Sequence, residues 1–334
     1  LLMRVFGRNL TKLKITDEHS ECCHCKSPFL VEVFEGTQTT DTREPDASTY
    51  RCTSMNHKDK PQVIECLHCG LMQIPLHKQP DDLEKLYSLT EDELYTKNLA
   101  AREHTFSKII ETLEVYSDGN QKLLEIGSYC GVFLDLARQK GWRIEGVEPS
   151  KWAVNMAQKM YGINIRLGTL ETNSNQLDCD FDTIVALDVL EHVSNPYKLL
   201  CDINEKLKEN GILFFTTLDI ENWFPRFFFK HWPWLMPMHI HYFSRSLLER
   251  WLNNAGYKIL EISPYRHYTS LGYIWDKLQN LLPSPAGKLL ALITPLIPKS
   301  IQVKIAFGDI KLFVARKIEP AQMPEPNLGQ QNIV

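Results

Sequence analysis

The sequence predicts an α/β protein: a doubly wound, seven-stranded, mostly parallel sheet preceded by a small cysteine-bearing module. Three observations carry this. Short apolar runs alternate with amphipathic stretches from residue 122 to residue 218, the pattern of strands joined by crossover helices. A glycine-bearing turn, Gly127-Ser-Tyr-Cys-Gly131, follows the first apolar run, where open α/β sheets bind their ligands. Ahead of both stand two Cys-x-x-Cys pairs, Cys22/Cys25 and Cys66/Cys69.

The cysteines come first. Nine of them, an odd number scattered over 334 residues, do not suit a disulfide framework. A Cys-x-x-Cys turn aims two sulfurs at one point, so two such turns supply the four thiolates of a tetrahedral zinc ion. Cys22, Cys25, Cys66 and Cys69 are therefore expected to hold structural zinc, with no position left open for chemistry. Cys23 and His24 crowd the first pair as competing ligands, and an unliganded pair of thiol turns is the plain alternative. Residues 1–80 read as a zinc-ribbon module with a polar insertion over 36–60. They hold ten basic and ten acidic residues, and the whole chain carries a net charge of −4. That balance gives no field for coating nucleic acid, which is not the expected partner.

Pro75 and Pro80 punctuate the end of the module. Residues 81–120 form a helical linker or cap, with apolar side chains three and four apart from Leu83 to Leu113. Strands are expected over 122–126, 142–147, 163–167, 181–187 and 212–218, and helices over 132–140, 151–161, 196–208 and 244–255, with Ser150 and Ser244 as caps. Two closing strands, 258–263 and 309–316, complete seven with an antiparallel edge. The domain thus spans 121–318 and leaves 319–334 as a flexible tail. Residues 222–242 are crowded with aromatics and prolines and follow the fifth strand, so they are expected to form a substrate lid. A satellite core under a long loop is one alternative, and insertion at a membrane surface another. No apolar run reaches the roughly 20 residues that span a bilayer. The expected location is cytoplasmic, with peripheral membrane contact as a variant.

Ligand class follows from the loop. Gly127 and Gly131 let backbone approach a ligand closely, and Glu148, 21 residues after Gly127, ends the second strand where a carboxylate can accept two ribose hydroxyls. The dinucleotide fingerprint Gly-x-Gly-x-x-Gly is absent, because positions 129 and 132 are Tyr and Val. A ligand with ribose and adenine but no phosphates fits such a loop, and S-adenosylmethionine is one.

The segments Leu124-Glu-Ile-Gly-Ser-Tyr-Cys-Gly131, Gly146-Val-Glu-Pro-Ser150 and Asp182-Thr-Ile-Val-Ala-Leu-Asp-Val-Leu-Glu-His-Val193 resemble successive motifs of class I S-adenosylmethionine-dependent methyltransferases. The resemblance covers residues 98–262. It implies that Glu125, Gly127, Ser128, Tyr129 and Gly131 surround the methionine part, and that Glu148 and Pro149 meet the ribose. Thr169 and Leu170 take the adenine position usually served by an acid, and Asp188, Val189 and Leu190 lie beside the cofactor. Tyr129, where glycine is commoner, narrows the pocket. His239-x-His241 resembles a family histidine motif, so His241, His239 and His192 are candidates for the base; each could instead be a structural histidine bonded to a backbone carbonyl. Joined to a zinc ribbon, the resemblance implies O-methylation of a sugar or lipid-linked saccharide in surface polysaccharide or secondary metabolism. An RNA methyltransferase, a sugar C-methyltransferase and a non-catalytic zinc-ribbon scaffold are the alternatives. The sequence leaves the oligomeric state open.

Overall fold

The computed structural model describes residues 21–37, 50–51, 60–96, 99–117, 121–272, 275, 298 and 301–321. Most of the polar insertion, the apolar stretch before Pro298 and the tail from 322 lie outside the described residues.

In the N-terminal module, β1 (Leu30–Phe34), β2 (Val63–Cys66) and β3 (Met72–Gln73) pair antiparallel in that order. The expected helical cap is three helices, α1 (Leu83–Ser88), α2 (Glu93–Thr96) and α3 (Leu99–Tyr116). Asp82 caps α1 by accepting the Lys85 N–H at 2.8 Å, and α3 turns Ile109, Ile110 and Leu113 into the core.

The central domain alternates as expected: β4 (Lys122–Ile126), α4 (Val132–Gln139), β5 (Arg143–Glu148), α5 (Lys151–Tyr161), β6 (Arg166–Leu167), β7 (Phe181–Leu187), α6 (Pro196–Lys206) and β8 (Leu207–Leu218). After it come α7 (Trp223–Phe228), β9 (His241–Tyr242), α8 (Arg245–Asn254), β10 (Tyr257–Pro264), the antiparallel pair β11 (His267–Ser270) and β12 (Gln302–Ile305), and β13 (Ile310–Lys317). The seven-stranded sheet runs β10-β13-β8-β7-β4-β5-β6. Its strands β6, β5, β4, β7 and β8 are parallel. Reading outward from β4, the order reverses direction, which places the topological switch point beyond Ile126.

Three details differ from the sequence expectation. The antiparallel strand is not an edge: β13 sits between β8 and β10. Leu312–Ala315 are all buried, so that strand needs neighbours on both sides, whereas β10 is only half-buried along most of its length and takes the edge. The third strand shrinks to two residues, because Ile163 and Ile165 bury their side chains without joining the ladder. The Asn210-Gly211 turn is absorbed into a long β8 as an irregularity, with Asn210 at φ +62° and the register to β7 shifting there.

The N-terminal sheet is not self-contained. β9, which follows the aromatic stretch, pairs with β3 through Met72–Tyr242 and Gln73–His241, so the module's fourth strand comes from the larger domain. Ser150 and Ser244 cap their helices as expected, accepting from Ala153 N and Leu247 N at 3.1 Å each. No helix among the described residues is long and apolar enough to cross a membrane.

Candidate functional site

The four cysteines of the two pairs converge. Cys22 and Cys69 bring their sulfurs to 3.6 Å, and Cys25 and Cys66 to 3.5 Å. Tetrahedral zinc with bonds near 2.3 Å spaces its sulfurs at about 3.8 Å, so the cluster has the right size. Four sulfurs this close cannot all ionise without a cation among them, and the donor set is that of structural zinc. The competing ligands are engaged elsewhere. Cys23 meets His241 Nε2 through its sulfur at 3.1 Å, and the His24 ring packs on Trp251 and Tyr197 at 4.5 and 4.9 Å. Arg250 adds a hydrogen bond of 2.7 Å to the Cys69 carbonyl, so the knuckle is seated on α8 and α6.

A cavity of about 870 Å³ opens beyond the carboxyl ends of β4, β5 and β7. Its floor is built by the turn after β4. Gly127 has φ +71°, and a Cβ there would come within 2.8 Å of Val189 Cγ2, so both conformation and space require glycine. Gly131 caps α4 at φ +75°. Two non-glycine residues of the cavity wall, Tyr129 and Asp188, also stand in the left-handed region at φ +45° and +54°. Such strain persists only where the surroundings enforce it, and it concentrates at binding sites.

Four carboxyls face this cavity: buried Glu125, Glu148 and Glu191, and half-buried Asp188. Glu148 ends β5 and accepts the Ser150 N–H at 2.8 Å and the Tyr129 N–H at 2.9 Å, one on each oxygen. Burial still pushes it up to about 7, with those two donors opposing. For Glu125, burial and then the Glu148 charge raise it well above the usual carboxylate range, and among the described residues its Oε2 has no hydrogen-bond partner. Asp188 is raised by burial, against the Thr216 hydroxyl at 2.6 Å and the Arg102 charge. Burial and Asp188 lift Glu191 to about 8, although it accepts the Thr217 hydroxyl at 2.8 Å. A low-dielectric pocket with this excess of carboxyls suits a ligand that brings positive charge and hydroxyl donors. The chemistry of S-adenosylmethionine, a sulfonium, an ammonium and a ribose diol, fits that set of acceptors.

Of the residues expected at the cofactor, Glu125, Gly127, Ser128, Tyr129, Glu148, Pro149, Thr169, Leu170, Asp188 and Val189 line the cavity. Gly131 and Leu190 stand behind the wall, the first as a helix cap and the second in the core. The three histidines separate. His192 and His239 line the cavity with rings 4.8 Å apart. His241 does not: it is fully buried at the module junction, tied to Cys23 and pushed down to about 3 by burial. The candidacy of His241 as base is corrected on that ground, since a fully buried ring outside the cavity has no path to a substrate. His192 is also held neutral, at about 4, by burial.

The aromatic stretch divides as well. Trp232 and Leu235 are core, Trp232 donating its indole N–H to Asp309 at 2.7 Å. Phe224, Trp234, Met236, Met238 and His239 line the cavity, while Trp223, Phe227 and Phe228 are exposed. Sequence reasoning missed the opposite wall. Tyr87, Tyr95 and Arg102 come from the helical cap, Tyr265 from the position just after β10, and Tyr268 from β11 of the separate two-stranded sheet. Only the helical spacing around Leu83–Leu113 hinted at a cap, and nothing in it pointed these side chains inward.

Residues 99–262 match the family model described as a methyltransferase domain. The mitochondrial ubiquinone biosynthesis O-methyltransferase of Schizosaccharomyces pombe is 31% identical over 115 residues, covering 31% of this chain and 42% of that one. The ubiquinone biosynthesis O-methyltransferase of an Azoarcus species is 25% identical over 157 residues, covering 43% and 66%. The chain thus spans about half the length of the curated relatives it matches. Among solved structures, a methyltransferase from Archaeoglobus fulgidus described as dependent on S-adenosylmethionine aligns with a TM-score of 0.46 at 15% identity, over 68% of this chain and 100% of that one. The family match over residues 99–262, the parallel strands within that span and the crevice rich in carboxyls at their switch point lead to one conclusion: this part of the chain is a class I S-adenosylmethionine-dependent methyltransferase domain, preceded by a four-cysteine module compatible with a zinc ribbon.

Proposed function

We propose that the protein is an O-methyltransferase acting on a ring hydroxyl of a small or lipid-linked molecule. The observation that carries this is one cavity lined by buried carboxyls and by aromatic rings together. At the switch point, Glu125, Glu148 and Asp188 offer carboxyls to a cationic nucleoside. Beside them Glu191, His192 and His239 form a polar group, with the Tyr87 ring against His192 and the Trp234 ring against His239, while Phe224 and Tyr265 also line the cavity. Aromatic faces pack against sugar or phenolic rings, and the polar group can orient a hydroxyl. When bound, S-adenosylmethionine supplies an electrophilic methyl group.

The proposed cofactor residues are those expected from sequence that face the cavity. Glu148 keeps a second lone pair on each oxygen for the ribose hydroxyls, and Glu125 Oε2 takes a donor from the ligand. The Thr169 hydroxyl, near that of Thr172 at 3.2 Å, remains the proposed adenine contact. Among acceptors, a saccharide is the sequence-based choice. The names of the curated relatives, which concern ubiquinone biosynthesis, support a hydroxyl on an apolar ring equally well. Zinc on Cys22, Cys25, Cys66 and Cys69 is proposed as structural.

Calorimetry with S-adenosylhomocysteine tests the first half: binding in the parent and at least a tenfold loss in Glu148→Ala are expected, and an inert parent would sink the reading. Methyl transfer assayed on nucleotide-activated sugars, lipid-linked saccharides and catechols in parallel then separates the acceptor classes.

A further inference from the structure

The group formed by Glu191, His192 and His239 is organised beyond what orienting a hydroxyl requires. A carboxylate oxygen of Glu191 and ring nitrogens of His192 and His239 all lie within 4.8 Å of one another. Each of the three is held from behind. His192 Nδ1 lies 2.8 Å from the Met238 carbonyl and 2.8 Å from the Tyr87 hydroxyl. His239 Nδ1 lies 2.7 Å from the Trp234 carbonyl. A carbonyl only accepts, so Nδ1 carries the proton in both rings and the lone pair sits on Nε2. Glu191 is anchored through Thr217 at 2.8 Å, and its own carbonyl accepts the Ile240 N–H at 3.0 Å. Imidazoles whose second nitrogen is fixed on backbone carbonyls, beside an anchored carboxylate, are the usual outer support of a metal ligand set. Among the described residues no lysine or arginine pairs with Glu191, which is 2% exposed and sits next to the carboxyl of Asp188.

We propose that Glu191, His192 and His239 form a binding site for a divalent first-row transition-metal ion, separate from the four-cysteine cluster. Two imidazole nitrogens and one carboxylate oxygen on one side of an ion leave its other positions open toward the cavity, where they take the oxygen of a hydroxyl-bearing ligand. Around such an ion the donors draw together to roughly 3.3 Å, a side-chain movement of about an ångström or more. With the ion in place, His192 and His239 act as ligands, and their lone pairs are no longer available to accept a proton. That the open positions hold the methyl acceptor rests on the function proposed above; the ion site itself does not.

The test uses the full chain loaded with zinc at the cysteines, titrated with Mn²⁺ and followed by the loss of the free-ion electron paramagnetic resonance signal. One Mn²⁺ per chain at micromolar concentration is expected, weakened at least tenfold in Glu191→Gln and in His239→Ala. Electron spin echo modulation from imidazole nitrogen on the bound Mn²⁺ reads the same site in the parent, without any variant. No binding up to millimolar Mn²⁺, binding that both variants retain, or an echo free of nitrogen modulation overturns the site. S-adenosylhomocysteine binding, measured on the same samples, reports separately on the methyltransferase reading: if it persists while Mn²⁺ fails to bind, only the ion site falls.

Discussion

Glu148 is the residue whose chemistry was most legible in the chain and whose energetics were least so. Its place at the end of a strand, 21 residues after Gly127, marks it as a ligand-facing carboxylate. Its burial could not be read from sequence, and burial decides its titration. Because ionising it is harder in the folded chain, with its value raised from 4.5 to about 7, its contribution to stability is fully present below pH 4.5 and lost as pH rises to 7. The loss is on the order of 3 kcal/mol. Thermal unfolding across that range should therefore show Glu148→Gln gaining on the parent as pH rises; parallel curves would contradict the assignment. Gly127 carries a second residue-scale prediction. Alanine there meets Val189 and takes a left-handed φ, so a loss of about 1–2 kcal/mol in unfolding free energy is expected, with weaker binding of S-adenosylhomocysteine. The histidines show the opposite case. Three were equivalent in the sequence, and only packing separates His241, locked on Cys23, from the pair at the cavity.

At the scale of elements, strands and helices in the central domain were legible because each is short, amphipathic in the right period and punctuated by a cap or glycine. Ser150 illustrates this: it caps α5 and also donates to the Thr90 carbonyl at 3.1 Å, so Ser150→Ala should cost about 1 kcal/mol by chemical denaturation. The two-residue strand β9 was not legible, since no local pattern distinguishes His241–Tyr242 from loop. Its partner is β3, 168 positions earlier in the register Gln73–His241. This pairing joins the cysteine module to the wall that contains Met238 and His239. Stripping metal with a chelator, or replacing Cys66 by Ser, should lower the melting temperature. It should also raise amide exchange over 236–242 as well as over 63–73. Exchange confined to the module would show that β9 does not couple the two.

For the whole molecule, the near balance of 37 basic and 41 acidic residues predicts how it meets polyanions. Binding to RNA should be weak, and its dependence on salt shallow, in filter-binding measurements over 50–200 mM salt; a steep slope would favour the RNA methyltransferase alternative. By itself the sequence determined the class of the fold, the strand-helix alternation, the cysteine quartet and the glycine and carboxylate positions of the nucleoside crevice. All of these rest on local periodicity or on motifs a few residues long. Tertiary structure alone decided which strand lies at the edge, that β9 completes the cysteine module's sheet, that Tyr95, Arg102 and Tyr265 face the crevice, and which histidines reach it. These depend on contacts between segments far apart in the chain, where burial and hydrogen-bond satisfaction of the whole molecule, rather than the pattern of any one segment, select the arrangement.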